Sequence, residues 1–418
     1  MTDIQERIDE LKDQGLYRRM RLISGPQGPR VLLDGKPVLL LCANNYLGLA
    51  DNPHVRQAAS DAAMRWGVGA GASRLVSGNM TIHRRLEDAL AEFKGKPRCL
   101  LFGSGYLANT GIISALAGPE EVVFSDALNH ASIVDGCRLS RAETFVYGHL
   151  DVDHLEWGLQ RAEGRGSLIV TDGVFSMDGD TAPLEEIVEL ARRYDARVMV
   201  DEAHATGTVG PGGRGTVAAA GLEDDVDLIV GTLGKSLGAY GAYVCCSKTM
   251  AKYLINTARS LIFSTGTPPP VAAAALKALQ MLRDDPRLVD RVQRNATVLR
   301  AALKQGGLEV EESESHIVPL VIGDAKATVA ASQRALERGI FAQAIRPPTV
   351  PEGTSRLRLT VMATHTKEEL REAARALAIV ARPVAPREVE PVRQPMRAPA
   401  PVAAGRATGV FDGLAEAA

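Results

Sequence analysis

The sequence carries no excess of charge of either sign. Its 48 Lys and Arg stand against 50 Asp and Glu, a formal net charge of -2. A protein that holds nucleic acid or an anionic membrane shows a basic excess, so neither partner is expected. Cysteine is sparse: Cys42, Cys99, Cys137, Cys245 and Cys246 are the only five, and none stand in CxxC spacing. That removes a zinc site and a disulfide framework, and leaves small buried hydrophobes in a reducing compartment. No apolar run approaches the roughly 20 residues that cross a bilayer. The opening MTDIQERIDELKDQG has charges where a secretory signal needs an apolar core, so a cytoplasmic protein is expected. No internal repeat is present.

What is present is alternation. The chain of 418 residues suits a large domain plus a smaller one. Ile4, Ile8, Leu11 and Leu16 predict an amphipathic helix lying on the body, and the apolar runs on either side of Asp34-Gly35 predict a hairpin over Val31 to Cys42. From about residue 55, short apolar strands alternate with helical patterns such as LEEIVELARRYD (184–195). The strands are CLLF (99–102), VVFS (122–125), SLIVTDG (167–173), RVMVDEA (197–203), VDLIVGT (226–232) and GAYVCC (241–246). Strands apolar throughout and separated by helices predict an α/β fold, a large mostly parallel sheet covered by helices. After GTPPP (266–270), the strands HIVPLVIG (316–323) and RLRLTV (356–361) flank a helix near 326–338, a smaller α+β C-terminal domain. The expected divisions are an N-terminal helix and hairpin over 1–50, a large domain over 51–285, a small domain over 286–382, and a disordered Pro/Ala-rich tail over 383–418.

Two anchors carry chemistry. Lys235 sits in GTLGKSLGAYG, a glycine-rich loop after an apolar strand. Gly234-Lys235-Ser236 matches the end of a phosphate loop, but the glycine that opens that motif falls on Ile229, so the turn cannot form. The second anchor, Asp201-Glu202-Ala203-His204, ends the strand RVMV and spells a DEAH box. An ATP-binding helicase places its phosphate loop before that box, and here the near-miss comes after it. One reading explains both anchors. Pyridoxal 5′-phosphate (PLP) needs an amine for its aldehyde and a carboxylate to keep its ring nitrogen protonated. Asp201 and Lys235 follow successive strands, at the edge where open α/β sheets bind ligands. FGSGYLANTG (102–111) adds a strand end, a tight turn and a helix start, so Gly105 and Tyr106 could donate N–H groups to a phosphate. His130 opens another helix, and Ser176, Asp178 and Thr232 are polar groups at strand ends.

Together these stretches resemble the α-oxoamine synthases of the fold-type I PLP superfamily over roughly residues 1–382. The resemblance runs through NNYLGLA (44–50), GAGASRLVSGNMTIHRRLE (69–87), SDALNHASIVDG (125–136), TDGVFSMDGDTAPL (171–184), VDEAHATGTVGPGGRG (200–215) and GTLGKSLGAYGAY (231–243). It implies that Lys235 forms the Schiff base, Asp201 pairs with the pyridine nitrogen, and His130 stacks on the ring. His204 would lie toward the phenolic oxygen, Ser176 and Thr232 around the cofactor, and Gly105 and Tyr106 at the phosphate. The family's homodimer would bring Ser264 and Thr265 to the partner's cofactor. Arg358 is expected to hold the amino-acid carboxylate, and Arg18 or its neighbour Arg19, with Thr349, the acyl substrate. AIRPPTVPEGTSRLRLT (344–360) is most similar to the family member of biotin synthesis, which condenses L-alanine with a pimeloyl thioester. Acyl carrier protein and coenzyme A remain open as the thiol carrier, and glycine C-acetyltransferase as the rival within the family. The tail beyond Arg382 has no counterpart in the resemblance.

Overall fold

The computed structural model describes residues 3–162, 164–310, 313 and 315–381; the tail expected over 383–418 lies outside the described residues. Its strands are β1 (Ile23–Ser24), β2 (Arg30–Leu33), β3 (Lys36–Leu40), β4 (Arg98–Phe102), β5 (Val122–Asp126), β6 (Glu143–Tyr147) and β7 (Ser167–Asp172). They continue with β8 (Ala196–Asp201), β9 (Leu228–Thr232), β10 (Ala242–Cys246), β11 (Ile317–Gly323), β12 (Ile340–Phe341), β13 (Gln343–Ile345) and β14 (Ser355–Thr360).

The central sheet has the order β4-β10-β9-β8-β7-β5-β6, and only β10 runs against its neighbours. Its strands are apolar throughout because both faces are covered. Leu168, Val170 and Met199 pack into one core while Ile169, Val198 and Val200 pack into the other. The edge strand β6 escaped the sequence reading because three of its five residues are exposed. The predicted hairpin forms between β2 and β3, with Asp34 and Gly35 both at positive φ (49° and 80°), the geometry of a tight two-residue turn. β12 pairs in parallel with β3, so the hairpin shares a four-stranded sheet with a strand of the C-terminal section. The smaller sheet there has the order β11-β14-β13.

The predicted N-terminal helix forms over Ile4–Asp13 but buries no residue, contrary to the expectation that it lies on the body. The helix stops short: Gly15 takes a positive φ, so Leu16 leaves the apolar stripe. The cysteines behave as expected. All five are free, and four are buried.

The topology brings four strand ends to one edge: Asp126, Asp172, Asp201 and Thr232 close β5, β7, β8 and β9. The chain then leaves β8 through Glu202, which turns to the opposite side. There Lys94, the last residue of the helix Thr81–Lys94, donates to Glu202 Oε2 at 2.6 Å and to the Arg214 carbonyl at 2.6 Å. Glu202 Oε1 accepts from Thr216 Oγ1 and the Val217 N–H. Gly215 is obligatory here, since a Cβ would lie 1.5 Å from Glu202 Oε2.

Both charges of this pair are fully buried, so removing one partner strands the other. Lys94→Met is expected to cost about 3–5 kcal/mol. Lys94→Met with Glu202→Gln removes both charges and keeps an acceptor for Thr216 and Val217, and should recover much of that loss. Urea-unfolding midpoints of the two variants measure this; equal losses would contradict it.

Candidate active site

Lys235 follows β9 in a loop closed by the Leu233 and Ala239 backbones and by Thr232, whose hydroxyl donates to the Gly241 carbonyl and accepts from the Gly234 N–H. The lysine is half-buried, and its Nζ is 2.7 Å from His204 Nε2. Burial lowers the amine to about 8, although Asp201 pulls the other way. His204 is buried, and its Nδ1 lies 2.7 Å from the Tyr46 hydroxyl. Burial, with Lys235 and Arg358 nearby, holds this imidazole well below its ordinary pKa, so it is neutral.

Asp201 is 4% exposed. Its oxygens accept from the Ala203 N–H at 2.8 Å and Asn109 Nδ2 at 2.7 Å. The same Asn109 nitrogen reaches the Ser132 hydroxyl at 2.8 Å, which lies 2.7 Å from His130 Nδ1. His130 caps the helix Ala131–Ser140, accepting the Ser132 N–H on Nδ1, and its ring is exposed. One hydrogen-bonded chain therefore runs from the buried carboxylate to an open imidazole face. Asp172 stands beside Asp201 in register and accepts the His130 N–H. Burial and the Asp201 charge push its carboxyl well above the usual range.

Ser104 caps the helix Gly105–Leu116, so the N–H groups of Gly105 and Tyr106 sit in its first turn without partners within the helix. A Cβ at Gly105 would meet nothing within 4 Å. Asn109 Oδ1 is buried and unpartnered among the described residues. An amine of lowered pKa, a buried carboxylate, an open imidazole face and free helix N–H groups fit PLP, the cofactor expected from the sequence.

Arg358 reaches the same place from β14. Its Nε donates to the Ser176 carbonyl, and its other nitrogens lie 3.4 Å from Asn44 Oδ1, the Tyr46 hydroxyl and His204 Nδ1. Among the described residues its partners are all neutral. Arg358 is only 7% exposed, a buried cation with no anionic partner among the described residues. Arg18, Arg19 and Thr349 are exposed and lie further out. Arg346 joins their two segments, donating to the Tyr17 carbonyl at 3.1 Å, and its pKa is lowered by burial and by Arg18. Thr265 forms a β-bridge with Ser73, and no hydrogen bond joins Ser264 or Thr265 to the Lys235 group among the described residues.

The sequence reading missed Tyr46, Asn109, Ser132 and Asp172. All four sat in quoted stretches, NNYLGLA, FGSGYLANTG, SDALNHASIVDG and TDGVFSMDGDTAPL, but nothing in their spacing announced a role. The helicase reading fails on geometry as well. Glu202 is consumed by Lys94, Thr216 and Val217 on the side away from Lys235.

Comparison with known proteins agrees with this geometry. Residues 36–377 match the family described as aminotransferase class I and II. The chain is similar to the 8-amino-7-oxononanoate synthase of Citrifermentans bemidjiense, at 53% identity over 90% of this chain and 97% of that protein. It is 52% identical to the synthase of the same name from Geobacter sulfurreducens, over 89% of this chain and 96% of that protein. Among solved structures, serine palmitoyltransferase of S. paucimobilis with bound PLP–myriocin superposes with a TM-score of 0.86 and 34% identity, covering 90% of this chain and 96% of that one. A family match along most of the chain, relatives at half identity and a shared fold have one consequence: the chain belongs to the aminotransferase class I and II family, among its α-oxoamine synthases.

Proposed function

We propose that the protein condenses L-alanine with a pimeloyl thioester, giving 8-amino-7-oxononanoate, CO₂ and the free thiol carrier, in biotin synthesis. PLP is the cofactor. The observation that carries the chemistry is the convergence of the Lys235 amine, the buried Asp201 carboxylate and the unpaired Arg358 guanidinium on one sheet edge. Relatives at half identity with that synthase name support the choice of substrates.

When bound, PLP draws electrons from the amino acid's Cα, so that a proton there can leave. Lys235 would hold the cofactor and then act as the base for that proton, a role its lowered pKa suits. Asp201 would pair with the cofactor's ring nitrogen, held in place by Asn109 and Ala203. His130 would face the ring, and His204 would stand toward its phenolic oxygen. Ser176 and Thr232 would line the pocket, and Gly105 and Tyr106 would take the phosphate. Arg358 would bind the alanine carboxylate, the group that leaves as CO₂ once the new carbon–carbon bond has formed and the thiolate has departed. Arg18, or Arg19, and Thr349 would meet the acyl chain. The enzyme would work as a cytoplasmic homodimer in which Ser264 and Thr265 approach the partner's cofactor phosphate, with acyl carrier protein or coenzyme A as the thiol.

Only the neutral amine of Lys235 can capture the cofactor. Its folded pKa is lowered to about 8, so the neutral form grows as pH rises toward that value and dominates above it. Capture of PLP by cofactor-free protein should therefore speed up to about pH 8 and level off, and Lys235→Ala should show no covalent cofactor band. A rate flat across this range would contradict the assignment. Thiol release measured for L-alanine and glycine against pimeloyl and acetyl thioesters tests the substrates. The alanine–pimeloyl pair is expected to be fastest, and activity with glycine and acetyl alone would overturn the proposal.

A further inference from the structure

His149 follows β6, and each of its ring nitrogens faces a carboxylate. Nδ1 is 2.9 Å from Asp126 Oδ1, and Nε2 is 2.8 Å from Asp180 Oδ2. Asp126 also accepts the N–H groups of Leu128 and Leu150, one on each oxygen. An ionised carboxylate only accepts. With a carboxylate facing each ring nitrogen and its pKa held at about 9, His149 is an imidazolium bridging two acids near neutral pH.

The far acid, Asp180, belongs to the loop between β7 and the helix Leu184–Arg193. This loop is folded on itself: Phe175 and Asp180 bond through their backbones, Gly179 donates back to Phe175, and Val174 bridges to Thr181. The His149 ring packs edge-on against Phe175 with centroids 4.5 Å apart. The loop's other side is gripped by β14. Arg356 pairs with Asp178, and Arg358 donates to the Ser176 carbonyl. Arg358 therefore takes its direction from a loop whose opposite end is tied to β5 through His149.

We propose that His149 is a positioning residue for the reaction: by bridging Asp126 and Asp180 it fixes the loop that aims Arg358 at the amino-acid carboxylate. The proposal rests on reading Arg358 as the carboxylate-binding group. Burial pulls His149 down, but the two carboxylates outweigh it and hold its pKa at about 9. Tyr147 and Asp172 face Asp126, and Asp178 of the Arg356–Asp178 pair belongs to the same loop, two residues before Asp180. Because the folded pKa is raised, the bridge is fully present below the ordinary histidine value of about 6.5. It is lost as pH rises through about 9.

The test compares His149→Gln and His149→Phe with Arg358→Lys, all as PLP-loaded enzyme, from pH 7 to 10. It reads KM for each substrate, and the L-alanine dissociation constant from the change in cofactor absorption. Both His149 variants are expected to raise the alanine constants about tenfold, a misplacement effect, equal to about 1.4 kcal/mol. The acyl KM should stay near the parent value. The parent's loss of alanine affinity near pH 9 should disappear in the variants. His149→Gln keeps size and polarity and carries the test if His149→Phe fails to fold. Unchanged alanine affinity in His149→Gln, with a loss in Arg358→Lys, would overturn the positioning role and leave the Arg358 reading intact. A parallel rise in both KM values would also overturn it, as general loosening. No loss in Arg358→Lys would overturn the Arg358 reading itself.

Discussion

A carboxylate kept out of water at the end of β8 is the constraint on which the site depends. Asp201 is almost fully buried, and Asp172 stands next to it in register at the end of β7. Two carboxylates so close in a low-dielectric place cannot both ionise cheaply. Asp172 yields, its carboxyl pushed well above the usual range by burial and by Asp201. Asp201 is instead supplied with donors, Asn109 and the Ala203 N–H, and stands near the Lys235 amine. Each neighbour has a reason traceable to that buried charge. Asn109 spends one nitrogen on Asp201 and Ser132 together, which ties the acid to His130.

The strand that carries Asp201 is itself held from behind. Successive residues of a strand point to opposite faces, and Glu202 turns to the side away from Lys235, where Lys94 neutralises it. Replacing such a pair with apolar groups is often neutral for stability. Its retention here makes sense as a fastening: one helix end, the chain leaving β8 and the Arg214–Val217 segment all meet on two side chains.

Much of this was legible in the sequence because it is local. Apolar strands, a DG turn, an acid at a strand end and a lysine in a glycine loop are patterns within a few residues of each other. The sequence placed Asp201 at a strand end, Lys235 in a loop, His130 and Gly105 at helix starts and Arg358 inside a strand, and the structure has each of them there. What escaped is what folding brings together from afar. Tyr46 meets His204 across 158 residues of chain, and Arg358 meets the Ser176 carbonyl across 182. The edge strand β6 escaped for another reason: it is half solvated and lacks the continuous apolar run that marked its neighbours. The helix Ile4–Asp13 erred in the opposite direction. Its spacing was helical, but three apolar positions on ten residues gave the body no stripe to bury.

The two arginines of β14 show how charge is sorted around this edge. Arg356 and Arg358 lie on the same face, two residues apart, and both reach the loop after β7. Arg356 is neutralised there by Asp178. Among the described residues Arg358 has only carbonyl, amide, hydroxyl and imidazole partners. Its uncompensated charge reaches the neighbours: burial first, and then this charge among others, keeps His204 and His316 well below the ordinary histidine pKa, hence neutral. A pocket that holds its histidines neutral, its lysine near neutrality and one guanidinium unpaired has a single strong demand left, for an anion. An amino-acid carboxylate would meet that demand, and its departure as CO₂ would restore the uncompensated charge, so the pocket would hold the group to be lost more strongly than the product that lacks it.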